Sequence, residues 1–217
     1  MKQTLLASLA LAMTASFSTA GGEGWMTDFE AAKKKAAKEN KDLLLDFTGS
    51  DWCPPCKALT SNILSKDEFK KAASAKFVLV ELDFPRDKSK LSEETQKQNQ
   101  ELQKKYNIKG YPTILLVDAK GLPYGQTGFR DGGPEQYLKH LDELQSKRTN
   151  RDNALEAASK LDGGAKAEAL VKVLKELPET QLNHYQHIID QISKLDPEDK
   201  TGFVKNQKFK AAYESLM

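Results

Sequence analysis

Only two cysteines, Cys53 and Cys56, occur in this chain of 217 residues. With no third or fourth thiol, neither a multi-bridge disulfide scaffold nor an all-sulfur metal cage can be built. Histidine is almost as scarce, limited to His140, His184 and His187. A zinc or copper site on the cysteine pair would need two further soft ligands from that short supply, and His184 and His187 lie far away in sequence. No glycine-rich nucleotide fingerprint is present, so direct use of a nicotinamide or flavin is not expected, and no cofactor is assigned. Charge of one sign is not in excess, with 33 basic and 31 acidic residues. That balance gives no electrostatic reason to expect nucleic acid or an anionic membrane as partner. Clusters such as Lys33-Lys34-Lys35 sit among Ala and Glu at helical spacing and read as solvated helix faces. Fixed-period repeats and low-complexity runs are also missing.

The N-terminal apolar run, Leu5 to Met13, is too short for a stable membrane span. With Lys2 before it and Ser18-Thr19-Ala20 after it, the run has the three parts of a secretory signal peptide cleaved after Ala20. No cysteine stands near that ending to carry a lipid. The expected mature protein is therefore residues 21–217, exported to a periplasmic or extracellular space that is oxidising, without stable membrane insertion.

Within that span the pattern alternates. A capping box at Thr27-Asp28-Phe29-Glu30 predicts a helix to about Asn40, followed by a buried strand from Asp42 to Thr48. Pro54 and Pro55 suit the first turn of the next helix, which runs through Leu59 and Ile63. Asp67 to Ala75 reads as a short helical turn, and Phe77 to Asp83 as a second strand. After a charged loop, Leu91 to Tyr106 is a polar helix with little apolar stripe, read as a solvent-facing crossover. Strands are expected at Thr113 to Asp118 and Tyr124 to Phe129, then a helix from Glu135 to about Lys147. The early helical crossovers call for parallel strands, and the short Ala119-Lys120-Gly121 link permits an antiparallel hairpin. Beyond Thr149 the β signals stop. Four helical stripes, separated by Gly163-Gly164, Pro178 and Pro197, predict an all-helical unit over residues 150–217 after an α/β domain of residues 21–149. That unit carries no obvious catalytic constellation; capping, substrate docking and self-association all remain open for it, and the oligomeric state is unassigned.

A C-x-x-C pair at the start of a helix can close into a small disulfide, and it places Cys53 where a helix N-terminus favours negative charge. Cys53 is thus the expected nucleophile and Cys56, one turn later, the resolving thiol. Lys57 is close enough in sequence to add to that field or to point to water. Two other readings compete, a structural disulfide and a metal site; a loop this short removes little chain entropy, which disfavours the first.

The segment Leu45-Asp46-Phe47 before Trp52-Cys53-Pro54-Pro55-Cys56-Lys57, together with Tyr106-Asn107-Ile108-Lys109-Gly110-Tyr111-Pro112-Thr113-Ile114 some fifty residues later, closely resembles the thioredoxin family over roughly residues 25–147. The resemblance implies a thioredoxin-like α/β fold, a central mixed sheet flanked by helices, with the C-terminal helices as a small extension. It also implies a cis Tyr111-Pro112 bond against the cysteines, where Tyr111 would pair with an extended substrate. Asp46, a carboxylate in an apolar strand, would exchange protons with the resolving thiol, since burial raises its pKa. Trp52 would shield the pair and offer a flat docking surface. In the family's third active-site loop lies Gly128-Phe129-Arg130-Asp131-Gly132-Gly133, which equally suits a simple break before the last helix. Two departures stand out: the link from Phe47 to Asp51 is one residue longer than is common, and the second strand offers no lysine to partner Asp46. Asp51 is the other acid available for that role.

The resemblance also implies a direction: strong oxidants of the family tend to place a histidine between the cysteines, whereas Pro54 and Pro55 resemble the form found in exported reductases, which favours a reductase or interchange protein. Its partners would be disulfide-containing proteins and a separate dithiol electron donor. The alternatives from other classes are a redox-inert peptide-binding module or chaperone and, further off, a copper metallochaperone.

Overall fold

The computed structural model of the protein describes residues 22–214; the expected signal peptide lies outside them. Five strands form one mixed sheet in the order β1-β3-β2-β4-β5. β2 (Asp42–Thr48) and β3 (Phe77–Asp83) are the central parallel pair, both buried along their whole length. Such strands covered on both faces read as continuous apolar runs. A two-residue strand, β1 (Trp25–Met26), joins β3 in parallel; its brevity left no readable pattern. β4 (Thr113–Val117) runs antiparallel to β2, and β5 (Pro123–Thr127) antiparallel to β4. The expected hairpin is therefore present, and the crossover from β3 to β4 reverses direction rather than extending the parallel set.

Helix α1 (Phe29–Glu39) is capped by Asp28, whose side chain accepts from the Ala31 N–H at 2.9 Å, rather than by the expected Thr27. The reason lies outside the local sequence: Gln98 takes the Phe29 N–H through its Oε1 and donates to the Thr27 carbonyl. Glu30 pairs with Lys33 instead of folding back onto the cap. α2 (Pro54–Leu59) passes into a π-helical turn at Thr60–Leu64, and α3 (Asp67–Lys76) leads to β3. α4 (Glu93–Lys105) begins at Ser92, whose hydroxyl accepts from the Thr95 N–H. It is not merely solvent-facing: Asn99 is buried and donates to the Asp83 carbonyl at 2.9 Å, beside buried Leu102. A polar residue on the inner face is why the apolar stripe looked thin.

The sheet divides the core. One face, with Leu43, Leu45, Phe47, Val80 and Leu115, packs on Phe29, Ala32 and Ala36 of α1 and on Leu102 and Tyr106. The opposite face, with Leu44, Leu79, Ile114 and Leu116, packs on Leu59, Ile63, Phe69 and Tyr137. Each fully buried large side chain contributes about 1.5–3 kcal/mol.

α5 (Gly133–Ser159) is one helix of 27 residues, so the expected end near Lys147 and the expected boundary at 149/150 fall inside it. Arg148 and Arg151, on either side of that expected boundary, turn inward: Arg148 donates to Asp42 at 2.7 Å, and Arg151 is bonded to Asp118 and Tyr185. α6 (Gly163–Lys175), a 3-10 segment at Glu179–Tyr185, α7 (Gln186–Leu195) and α8 (Phe203–Glu214) follow. Leu170, Leu174, Ile188 and Ile192 share the apolar cluster of the sheet face beneath α5. Gln181 donates to the Tyr106 carbonyl at 2.9 Å and Tyr185 to the Pro123 carbonyl at 2.6 Å. The C-terminal helices are thus fastened to the sheet by buried polar contacts as well as by apolar packing.

Candidate active site

Cys53 is the N-cap residue of α2, with Pro54 and Pro55 in the first turn. Proline carries no N–H, so the first amide able to reach the Cys53 sulfur is that of Cys56, and it donates to Cys53 Sγ at 3.3 Å. The two cysteines are joined as a disulfide with their Cα atoms 5.2 Å apart. In this oxidised form both are closed over, Cys53 at 2% and Cys56 at 1% exposure. That is less accessible than the sequence suggested for a nucleophile.

Around the pair, Trp52 is held by its indole N–H, which donates to the Phe84 carbonyl at 2.8 Å. Its ring meets Tyr111 edge to face at 5.7 Å, and the Arg86 guanidinium lies 5.7 Å over it. Gly49 explains part of this placement, because a Cβ there would come within 2.6 Å of the indole. The Tyr111-Pro112 peptide is cis, as the resemblance implied. Tyr111 is fixed by Gln103, which donates to its hydroxyl at 2.6 Å, and by Phe84, whose ring centre lies 5.2 Å away.

The loop after β5 does approach this region. A Cβ on Gly128 would lie 2.9 Å from the Pro112 carbonyl oxygen, and Tyr137 donates to the Gly128 carbonyl at 3.0 Å. Of the glycines singled out, Gly128 is thus the one the close approach requires. Lys57 donates to the Asp51 carbonyl at 2.8 Å rather than standing free in water.

Asp46 is 3% exposed, and its Oδ1 has no hydrogen-bond partner from the protein. Burial, with the Asp83 carboxylate as a second cause, pushes its carboxyl up to about 7. Asp51 has the opposite environment. It accepts from the backbone N–H groups of Arg86 and Asp87 and from Lys90, and those backbone bonds, first of all that from Arg86, hold it down to about 2. Asp51 is therefore an anchor for the 84–90 loop and not a substitute proton carrier. The residue the sequence reading missed is Glu81, directly opposite Asp46 on β3 and 7% exposed. Burial, then the nearby Asp46 and Asp83 carboxylates, raises it to about 8. A glutamate in the middle of an apolar strand was the available signal. His184 and His187 do not converge: one ring lies on Tyr106, the other beside Tyr185.

A family model described as a thioredoxin-like domain matches residues 29–145. The chain is similar to the disulfide bond reductase DsbH of Chlamydia pneumoniae, 36% identical over 113 residues, which covers 52% of this chain and 68% of that protein. The thioredoxin-related protein DsbJ of the same organism is 31% identical over 116 residues, 52% of this chain but only 33% of DsbJ. The thiol:disulfide interchange protein DsbD of Actinobacillus pleuropneumoniae is 30% identical over 118 residues, 53% of this chain and 18% of DsbD. Among solved structures, a DsbH oxidoreductase superposes with a TM-score of 0.53 at 29% identity, covering 65% of this chain and 94% of its own. The family match ends within α5, so α6, α7 and α8 lie beyond it.

Proposed function

The chain is a thiol–disulfide oxidoreductase of the thioredoxin-like family, and from that premise we propose that it reduces or interchanges disulfides of exported proteins. The observation that carries this reading is the Cys53–Cys56 disulfide at the head of α2, with the Cys56 N–H directed at Cys53 Sγ. When the pair is reduced, that amide and the helix end favour charge on Cys53, and a shift of one pKa unit requires only about 1.4 kcal/mol. The Cys53 thiolate attacks a substrate disulfide, one substrate sulfur leaves, and Cys56 then displaces the second from Cys53. Trp52, Tyr111 and cis-Pro112 form the docking surface for the substrate segment, and Asp46 handles the proton of Cys56.

The reducing direction rests on Pro54-Pro55 and on the similarity to a protein named as a disulfide bond reductase. Electrons then come from a separate dithiol protein. An extracytoplasmic location, periplasmic or extracellular, rests on the N-terminal signal pattern; no helix among the described residues is long and apolar enough to cross a membrane.

The test is reduction of insulin by the mature protein with a dithiol donor. Wild type should turn over, Cys53→Ser should be inactive, and Cys56→Ser should accumulate mixed disulfides with substrate. Equal, negligible turnover by wild type and Cys53→Ser would leave a peptide-binding module as the better description. A measured reduction potential for Cys53–Cys56 at the strongly oxidising end would reverse the direction while leaving the chemistry in place.

A further inference from the structure

Asp46 and Glu81 occupy matched positions on the parallel strands β2 and β3, and registered neighbours point to the same side of a sheet. That side is the one under α2, because Leu44 and Leu79, two residues back on each strand, share a cluster with Leu59. Cys56 stands three residues before Leu59 and so lies on the helix face turned toward the sheet. The groups around the two carboxyls are few. Asp83, two residues along β3, accepts from the Ser50 N–H and hydroxyl at 2.9 and 2.6 Å. Tyr137 of α5 faces Asp46 but gives its hydrogen to Gly128, and Arg130 acts on Tyr137. α2 brings the cysteine pair. Among the described residues, no cation balances Asp46 or Glu81.

Two buried carboxyls without a counter-cation cannot both be ionised near neutrality. We propose that Asp46 and Glu81 share a proton as one unit beneath α2, with Glu81 acting as a positioning residue that keeps this proton store half-filled for the resolving thiol. The proposal rests on the disulfide-exchange reading. A lysine at position 81 would hold Asp46 ionised; a glutamate instead lets the pair gain or lose a proton across the neutral range.

In the mixed disulfide, the Cys56 S–H passes its proton to the singly ionised pair. The Cys56 sulfur attacks Cys53 Sγ, the bond from Cys53 to the substrate sulfur breaks, and that sulfur leaves with the bonding electrons and takes a proton from water. The dithiol has been oxidised and the substrate disulfide reduced. When a dithiol donor next reduces Cys53–Cys56, the fully protonated pair returns its proton to the departing Cys56 thiolate. The raised carboxyls, about 7 for Asp46 and about 8 for Glu81, place both events within reach of neutral pH.

The decisive measurement is the rate of the resolving step against pH, from about 5.5 to about 9.5, with a small disulfide peptide and the reduced protein. Wild type should show two carboxyl inflections, Glu81→Gln one, and Glu81→Asp two again. Superimposable profiles for wild type and Glu81→Gln would overturn the proposal, because they are what a Glu81 that merely supports the fold would give. Carbon-13 NMR titration of the side-chain carboxyls in the oxidised protein tests the sharing without any turnover. Asp46→Asn should lower the Glu81 midpoint by about one pH unit or more, and an unmoved midpoint would overturn the pair. A wild type that titrates as a coupled pair but exchanges no disulfides would instead sink the oxidoreductase reading and, with it, the relay to Cys56.

Discussion

Arg151 of α5 donates to the Asp118 carboxylate at 3.0 Å, and both side chains are almost fully buried. Asp118 at the same time accepts from the N–H groups of Lys120 and Leu122 in the β4–β5 turn, and Arg151 reaches Tyr185 at 2.8 Å. One guanidinium therefore ties the second half of α5, the sheet hairpin and the 3-10 segment that leads into α7 together. Removing one partner of such a pair leaves an uncompensated charge. Arg151→Ala should cost about 3–5 kcal/mol in denaturant unfolding. The double variant Arg151→Met with Asp118→Asn, which keeps an acceptor for the Lys120 and Leu122 N–H groups, should recover much of that loss; a single variant within ~0.5 kcal/mol of wild type would show that the pair carries little.

Gly128 should not tolerate a methyl group. The added Cβ would press on a backbone oxygen, that of Pro112, which cannot swing aside as a long side chain does. Gly128→Ala is expected to destabilise by about 1–3 kcal/mol. By shifting the cis-proline loop it should also lower kcat/KM for disulfide reduction by roughly tenfold. Steady-state kinetics and a melting curve on the same preparation separate the two effects.

Asp51→Ala should loosen the loop beside Trp52 without unfolding the protein. The backbone N–H groups of Arg86 and Asp87 lose their acceptor, and Lys90 loses its partner. Amide hydrogen exchange at 86 and 87 should accelerate while exchange in β2 and β3 stays slow. Unchanged protection at those two amides would show that the loop is held by other contacts.

Stability of the oxidised protein should fall as the solution becomes alkaline, for a reason located at Asp46 and Glu81. Their folded-state values, about 7 and about 8, lie above the ordinary 3.8 and 4.5. Folding therefore retains protons that the unfolded chain gives up. Their contribution is complete below about pH 4, is lost progressively as pH rises above that, and is gone once pH has passed through about 7 for Asp46 and about 8 for Glu81. Wild type is expected to lose roughly 5–7 kcal/mol between about pH 5 and about pH 9 from this source, at about 1.4 kcal/mol per pH unit for each carboxyl until its folded value is passed, and Asp46→Asn clearly less. Parallel pH profiles for the two proteins would contradict it.

Much of the catalytic half was legible because its signals are local. Continuous apolar runs marked β2 and β3, proline after Cys53 marked the start of α2, and Tyr111-Pro112 carried its own cis assignment through the family resemblance. What escaped was set by distant partners. Gln98 moved the α1 cap from Thr27 to Asp28, and buried Asn99 disguised the inner face of α4. Asp42, Asp118 and Tyr185 drew Arg148 and Arg151 inward, so the expected domain boundary became the interior of α5. Glu81 was visible in the sequence, but its meaning required the register that sets it against Asp46.

The unbroken length of α5 bears on how this protein can be cut or fused. A chain ended at Asn150 would sever a rod in mid-span, discard the Arg151 clasp, and bare the sheet-facing apolar surface that α6 and α7 now cover. Engineers wanting the redox half alone would have to re-surface that wall, and a cargo grafted onto the tail would be joined to the catalytic end through a stiff strut instead of a tether.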